Sequence, residues 1–274
     1  MSFLKKIYSW RNLIPNFLIR LIPYYIRKKI SNIFNPYYFV YTDLQKLPEI
    51  KIRSKFNLDH QFKLIEKFEL SKKQNSLMTC PDLIKLLHTK FNSDDKFSFL
   101  DFGGAKIDFF LDLRQNFKNV EYYFFNLKEK TSYYKILKDK FNYQNLNIIE
   151  NMNEVFNKDF NFVNFGSSIQ YFDNYEIILR NICDNNKLVL FSGQTLFSSN
   201  KEKLKKHLIV KQIKGIKDEN YCYFFNKKFF FDIFFEKNFK LIFQRENLTD
   251  KINFKNFEKI VENIEFTDFF FTKN

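Results

Sequence analysis

Apolar positions along the chain follow two different periods, and the change comes near Ser93-Asp94-Asp95. Before that point the spacing is helical. Phe3, Ile7, Trp10, Ile14, Leu18, Leu21 and Tyr25 recur on one helical face, with Pro15 and Pro23 dividing the segment into short helices. Residues 31–60 carry Pro36, Pro48 and the aromatic cluster Tyr37, Tyr38, Phe39 and Tyr41, which predicts an irregular connection. From Phe62 to Phe91 helical spacing returns through Leu64, Ile65, Phe68 and Leu70, then Leu83, Leu86 and Leu87. Asp82, just after Pro81, marks a second helix start. These helices are expected to cover one edge of a sheet or to cap a ligand.

Beyond residue 95 the texture becomes strand and helix in alternation. Phe97–Phe102 is a short, nearly continuous apolar run, as expected of a parallel strand buried on both faces. Helical spacing follows at 107–117, then a strand at Tyr122–Phe125 and a helix at 131–141. Further strands are predicted at Asn147–Ile149, Phe160–Phe165 and Lys187–Phe191, with a helix at 173–182. Residues 207–225 suit a hairpin, 227–237 a Phe-rich helix, and 239–245 and 264–272 two closing strands. No helix is required between those last two, which predicts an antiparallel ending. The fold class is therefore α/β, a mostly parallel sheet covered by helices. The chain divides into a basic, mainly helical region over 1–92 and a Rossmann-like domain over 93–274.

Composition changes this picture in two ways. The chain holds 39 Phe and 15 Tyr but only 5 Gly and 5 Pro, a bias toward residues with A/T-rich codons. Lysine is enriched by the same bias, so the net charge of +14 is a weak pointer to anionic partners. No arginine-rich or aromatic-basic motif appears, and a nucleic-acid partner is not expected. The location of charge says more. Residues 1–42 hold Lys5, Lys6, Arg11, Arg20, Arg27, Lys28 and Lys29 and no acid. Basic residues beside an aromatic-aliphatic face suit an interfacial helix on an anionic membrane, and equally a helix docked on its own domain. The apolar runs there are too short to span a bilayer, and no small-residue cleavage site follows them.

Glycine is the second change. Where glycine is scarce, those that persist occupy positions no other residue fits. Gly103, Gly104, Gly166 and Gly193 all follow predicted strands, where a doubly wound sheet approaches its ligand. Cys80, Cys183 and Cys222 lack CxxC spacing, and His60, His88 and His207 lie far apart. They predict reduced, mostly buried thiols, structural histidines and no metal site.

Four blocks carry candidate chemistry. Leu100-Asp101-Phe102-Gly103-Gly104 ends the first buried strand in an acid and a Gly-Gly turn. Such a turn lets backbone approach a nucleoside, with a helix N-terminus facing its anionic end. The second strand ends at Asn126, where an acid usually meets ribose hydroxyls, with Glu129 a little further along. After the third strand, Asn151 stands in a polar cluster suited to a base. After the fourth come Gly166-Ser167-Ser168-Ile169-Gln170-Tyr171-Phe172, and after the fifth a polar loop, Ser192-Gly193-Gln194-Thr195.

In order, these blocks and the later Tyr221-Cys222-Tyr223-Phe224 segment resemble a family of methyltransferases encoded in bacterial surface-polysaccharide and O-antigen gene clusters. The resemblance spans about 97–245 and rests chiefly on 99–104 and 166–172, the second being the more specific. It departs from the family at Ala105, where a third glycine is expected, at Asn126 in place of the acid, and at Gln194-Thr195-Leu196-Phe197, which lacks the family's arginine. The resemblance implies a class I methyltransferase sheet and S-adenosyl-L-methionine as cofactor. It implies cofactor contacts from Asp101, Gly103, Gly104, Asn126, Asn151, Ser167 and Ser168, and acceptor contacts from Gln170, Tyr171, Gln194 and Thr195. Tyr171 and Asp173 lie nearest the position of a base. The implied acceptor is a small molecule or glycan intermediate, handled in the cytoplasm or at the inner face of the membrane. Two competing roles stay open: a non-catalytic module within a glycan-assembly complex, and a peripheral membrane protein working through residues 1–30.

Overall fold

The computed structural model describes residues 37–41, 62–63, 65–66, 81–104, 107–126, 128–198, 206–214, 218–246 and 263–274. The basic segment 1–30 lies outside the described residues. So do Ala105, Lys106, Cys80, His60 and Gly215.

Parallel strands β2 (Lys96–Phe102), β3 (Asn119–Phe125) and β4 (Leu146–Ile149) lie to one side, and β5 (Phe162–Gly166) and β6 (Leu188–Ser198) to the other. The spatial order is β4-β3-β2-β5-β6. Strand β10 (Asn263–Lys273) runs antiparallel to β6, and β9 (Phe239–Glu246) antiparallel to β10. Strand β9 therefore points the same way as the parallel set, with one reversed strand inserted before it. This ending is the one predicted from sequence, and the fold is Rossmann-like, of class I methyltransferase type.

Helices alternate with the strands and coat both faces. On one face α1 (Pro81–His88), α2 (Asp108–Asn116) and α3 (Lys128–Phe141) pack on Phe97, Phe99 and Tyr122. On the other, α4 (Met152–Phe156), α5 (Tyr175–Asn185) and α6 (Lys227–Phe235) pack on Leu100, Phe102, Val163, Phe165 and Phe191. Residues two apart along β2 thus share a face, and the two faces are both apolar because both are covered. Phenylalanine fills them as stacked rows. Tyr122, Phe99, Phe162 and Phe270 stack in sequence on the first face, and Phe165, Phe191 and Phe269 on the second. Such pairs add roughly 0.5–1.5 kcal/mol each beyond their buried area.

Two expectations are corrected. The predicted polar loop at 192–195 is strand: β6 continues to Ser198, paired with β10 through a bulge opposite Asp268. Gly193 takes φ +65, so the bulge turns the chain without ending the ladder. The aromatic cluster at 37–41 is also strand, β1 (Tyr37–Tyr41), rather than an irregular connection. It pairs with β7 (His207–Lys214), which forms the expected hairpin with β8 (Asp218–Asn226). Strand β8 joins the far half of β6 at Leu196 and Phe197. This extension stands above the C-terminal ends of the parallel strands. Among the described residues no helix is long and apolar enough to cross a membrane.

Candidate active site

The strand order reverses between β2 and β5, and in an open α/β sheet a ligand crevice forms outside the strand ends at that point. Asp101, one residue before the end of β2, is buried there. The Tyr122 hydroxyl donates to its Oδ2 at 2.6 Å, and the Asn164 amide donates to its Oδ1 at 3.1 Å. Burial pushes this carboxyl up to about 6, while the two hydrogen bonds pull it back. The acid therefore works from beneath the turn.

Above it the turn is tightly held. Gly103 takes φ +78 and donates its N–H to the Phe125 carbonyl. A Cβ on Gly103 would lie 2.2 Å from the Ser168 side chain, and one on Gly104 1.9 Å from the Asp101 carboxylate. Ser168 Oγ lies 2.6 Å from the Phe102 carbonyl and 2.7 Å from that of Phe165, so it staples the β2 turn to the β5 turn. The Asn126 amide donates to the Gly104 carbonyl at 2.5 Å. An acid at 126 would set a carboxylate against that carbonyl, which gives the asparagine a local reason.

The ends of β5 and β6 are arranged differently. Gly166 takes φ +53 and Gly193 φ +65, and among the described residues a Cβ on either would meet nothing within 4 Å. The Gly193 N–H donates to Asp268 Oδ1 at 2.6 Å. Asp268 in turn accepts from Arg245, which also reaches Asp82 at the start of α1. Beside Gly193, Gln194 and Thr195 are buried, and the Gln194 amide donates to Gln170 Oε1 at 3.3 Å.

The structure thus brings Asp101, Gly103, Gly104, Asn126 and Ser168 into one network, and Gln170 to Gln194. It leaves others apart. Ser167 is exposed, and Asn151 is exposed with its side-chain oxygen capping α4 through the Glu154 N–H. Tyr171 is half-buried against Phe197, Leu208, Val210, Cys222 and Phe224. Asp173 is exposed and accepts from the Tyr223 hydroxyl at 3.2 Å. Glu129 falls in the first turn of α3. Sequence reasoning missed Tyr122, Asn164, Thr267 and Asp268. A polar residue inside the apolar run Phe162–Phe165 was the available signal for Asn164. Thr267 and Asp268 before three phenylalanines carried a similar one.

Cys183 and Cys222 are buried thiols, and burial pushes that of Cys183 up to about 12. Among the described residues no cluster of His, Cys, Asp and Glu could hold a metal ion.

No protein-family model and no curated protein matches the sequence. Solved structures do match. The N-terminal domain of EvdMO1 with SAH bound is 10% identical, with 70% of this chain and 79% of that one covered, at a TM-score of 0.48. The 1,6-didemethyltoxoflavin-N1-methyltransferase of Burkholderia thailandensis, with 1,6-didemethyltoxoflavin and S-adenosylhomocysteine bound, is 13% identical over 85% of this chain and 98% of that one, at 0.47. A putative S-adenosylmethionine-dependent methyltransferase from Listeria monocytogenes is 10% identical over 69% and 97%, at 0.47. The strand order and helix placement identify the fold without them.

Proposed function

We propose that this chain is an S-adenosylmethionine-dependent methyltransferase acting on a sugar or glycan intermediate of surface-polysaccharide synthesis. One observation carries the reading: the Gly103-Gly104 turn, held from below by Asp101 and stapled by Ser168, sits at the switch point of a class I methyltransferase sheet. The residues fit the cofactor class. Gly103 and Gly104 keep the turn free of side chains of their own, with Ser168 and Asp101 packed against it, and in this reading Asn126, Asn151 and Ser167 take the remaining cofactor contacts.

When bound, S-adenosylmethionine supplies an electrophilic methyl group on a sulfonium. The chain's own work is to hold the acceptor in line, which can supply much of the rate by positioning alone. Gln170, Tyr171, Gln194 and Thr195 take the acceptor side. Asp173, which accepts from the Tyr223 hydroxyl, and Tyr171 as its phenolate are the candidate bases for an acceptor hydroxyl. The acceptor class rests on the resemblance of the 99–104 and 166–172 blocks. We propose no nucleic-acid partner and a cytoplasmic setting.

Isothermal calorimetry with S-adenosylhomocysteine on the full chain tests the reading. Saturable binding at one site is expected, and no detectable heat at millimolar ligand rejects it. One observation favours a second reading, a module that keeps the fold without the cofactor: Asn126 gives its amide to the loop carbonyl where an acid would meet ribose. The same titration separates the two.

A further inference from the structure

Asp101 is a buried carboxyl without a counter-ion. It is 1% exposed, and among the described residues no lysine, arginine or histidine pairs with it. Neutral donors hold its two oxygens instead, Tyr122 from β3 and Asn164 from β5. Helix α2 covers the same face of the sheet and sets Phe110 edge-on against the Tyr122 ring. Neither Asp112 nor Arg114 of that helix contributes to the titration of Asp101. An unpaired carboxylate is costly in such a place, so the group keeps its proton to a higher pH than an exposed acid. It titrates near 6 rather than 3.8.

The place of this carboxyl matters as much as its burial. A Cβ on Gly104 would lie 1.9 Å from Asp101 Oδ2, so the carboxyl rests directly against the backbone of the turn. Gly103 and Gly104 are themselves half-exposed. A ligand seated on the turn can therefore reach the backbone that covers Asp101, and it does not need to touch the side chain. A charge there acts through poorly polarisable backbone and is little screened by salt. The two cofactor forms of the proposed reaction differ in charge at one atom. S-adenosylmethionine carries a sulfonium, S-adenosylhomocysteine a neutral thioether, and both carry the same ammonium and carboxylate.

We propose that Asp101 is a proton-linked counter-ion for the sulfonium, acting through the turn, and that it distinguishes S-adenosylmethionine from S-adenosylhomocysteine by giving up its proton when the former binds. The proton passes to the buffer, and the ligand's positive charge balances the carboxylate left behind. S-adenosylhomocysteine brings no net charge, and with it the proton stays. Transfer of the methyl group thus removes the charge that Asp101 answers to, which favours release of the spent cofactor. At low pH the carboxyl is neutral in both complexes and the preference is smallest. It grows as pH rises through about 6 and is level above that. This rests on the methyltransferase reading for the identity of the ligands, and adds to it the residue that separates them.

Calorimetry on the full chain at pH 6, in cacodylate and in bis-Tris, counts the protons released on binding. S-adenosylmethionine is expected to release about 0.4 proton more than S-adenosylhomocysteine, and the ratio of the two affinities to rise about tenfold between pH 5 and 7.5. In Asp101→Asn the excess proton should vanish and the ratio should stay flat. Tyr122→Phe removes a donor to the carboxylate, so the rise should move to higher pH. If Asp101→Asn does not fold, the proton count of the parent and the displacement in Tyr122→Phe decide the matter. Equal proton release by the two ligands, or a pH-dependent ratio retained in Asp101→Asn, overturns the proposal and leaves the methyltransferase reading standing. Binding of neither ligand rejects that reading, and the proposal with it.

Discussion

The two glycine pairs at the C-terminal edge of the sheet look alike in sequence and differ in space. At Gly103 and Gly104 the room left by the missing Cβ is filled by the chain itself, through Ser168 and the Asp101 carboxylate. At Gly166 and Gly193 no described residue fills that room. The first pair is therefore a packing device that brings the β2 and β5 turns together. The second is a conformational device, needed for left-handed backbone at a strand end and at a bulge. A glycine count cannot separate these roles. What lies across the gap does, and only the first pair has its gap filled by other residues of the site.

That contrast can be broken most sharply at Gly103. Gly103→Ala combines left-handed backbone with a methyl group driven into Ser168, so about 2–5 kcal/mol of stability should be lost. Denaturant unfolding measures it, and a loss below 1 kcal/mol would mean the two turns separate easily. Next in size is the acid beneath the turn. The folded carboxyl of Asp101 titrates near 6, above its ordinary value of 3.8. Between about pH 4 and 6 the unfolded chain releases this proton before the folded one does, so stability falls as pH rises across that window. It is then level above it. The loss is about 3 kcal/mol at roughly 1.4 kcal/mol per unit. The difference in unfolding free energy between the parent and Asp101→Asn, followed from pH 4 to 7, should carry that slope, and a flat difference would place the carboxylate in water. The smallest effect belongs to Gly193→Ala. With nothing for the methyl group to meet, only the backbone term remains, about 1–2 kcal/mol. A loss as large as that of Gly103→Ala would erase the distinction between the pairs.

Much of this edge was legible along the chain. The run Phe97–Phe102 declares a buried strand, its acid and Gly-Gly turn mark the ligand end, and the absence of a required helix between 245 and 264 announces the reversed strand. The 166–172 block was also readable, because polar residues must follow a buried strand where it leaves the sheet. Other features were not. Ser192-Gly193-Gln194-Thr195 has the composition of a loop, and only its pairing with β10 makes it strand. Tyr122 reads as one more core aromatic until its hydroxyl is seen on Asp101, 21 residues away.

The order and kind of the elements, the reversed ending and the position of the nucleotide-type turn follow from the sequence by itself, because periodicity and turn chemistry act over a few neighbouring residues. Tertiary structure alone decided which glycine gaps are filled and which are open. It also decided that Asn126 clamps the turn and that Asp101 rests against Gly104 with only neutral donors on it. Those outcomes depend on residues far apart in the chain being set against one another by strand pairing and by the strand order of the sheet. Local pattern carries no record of such distances.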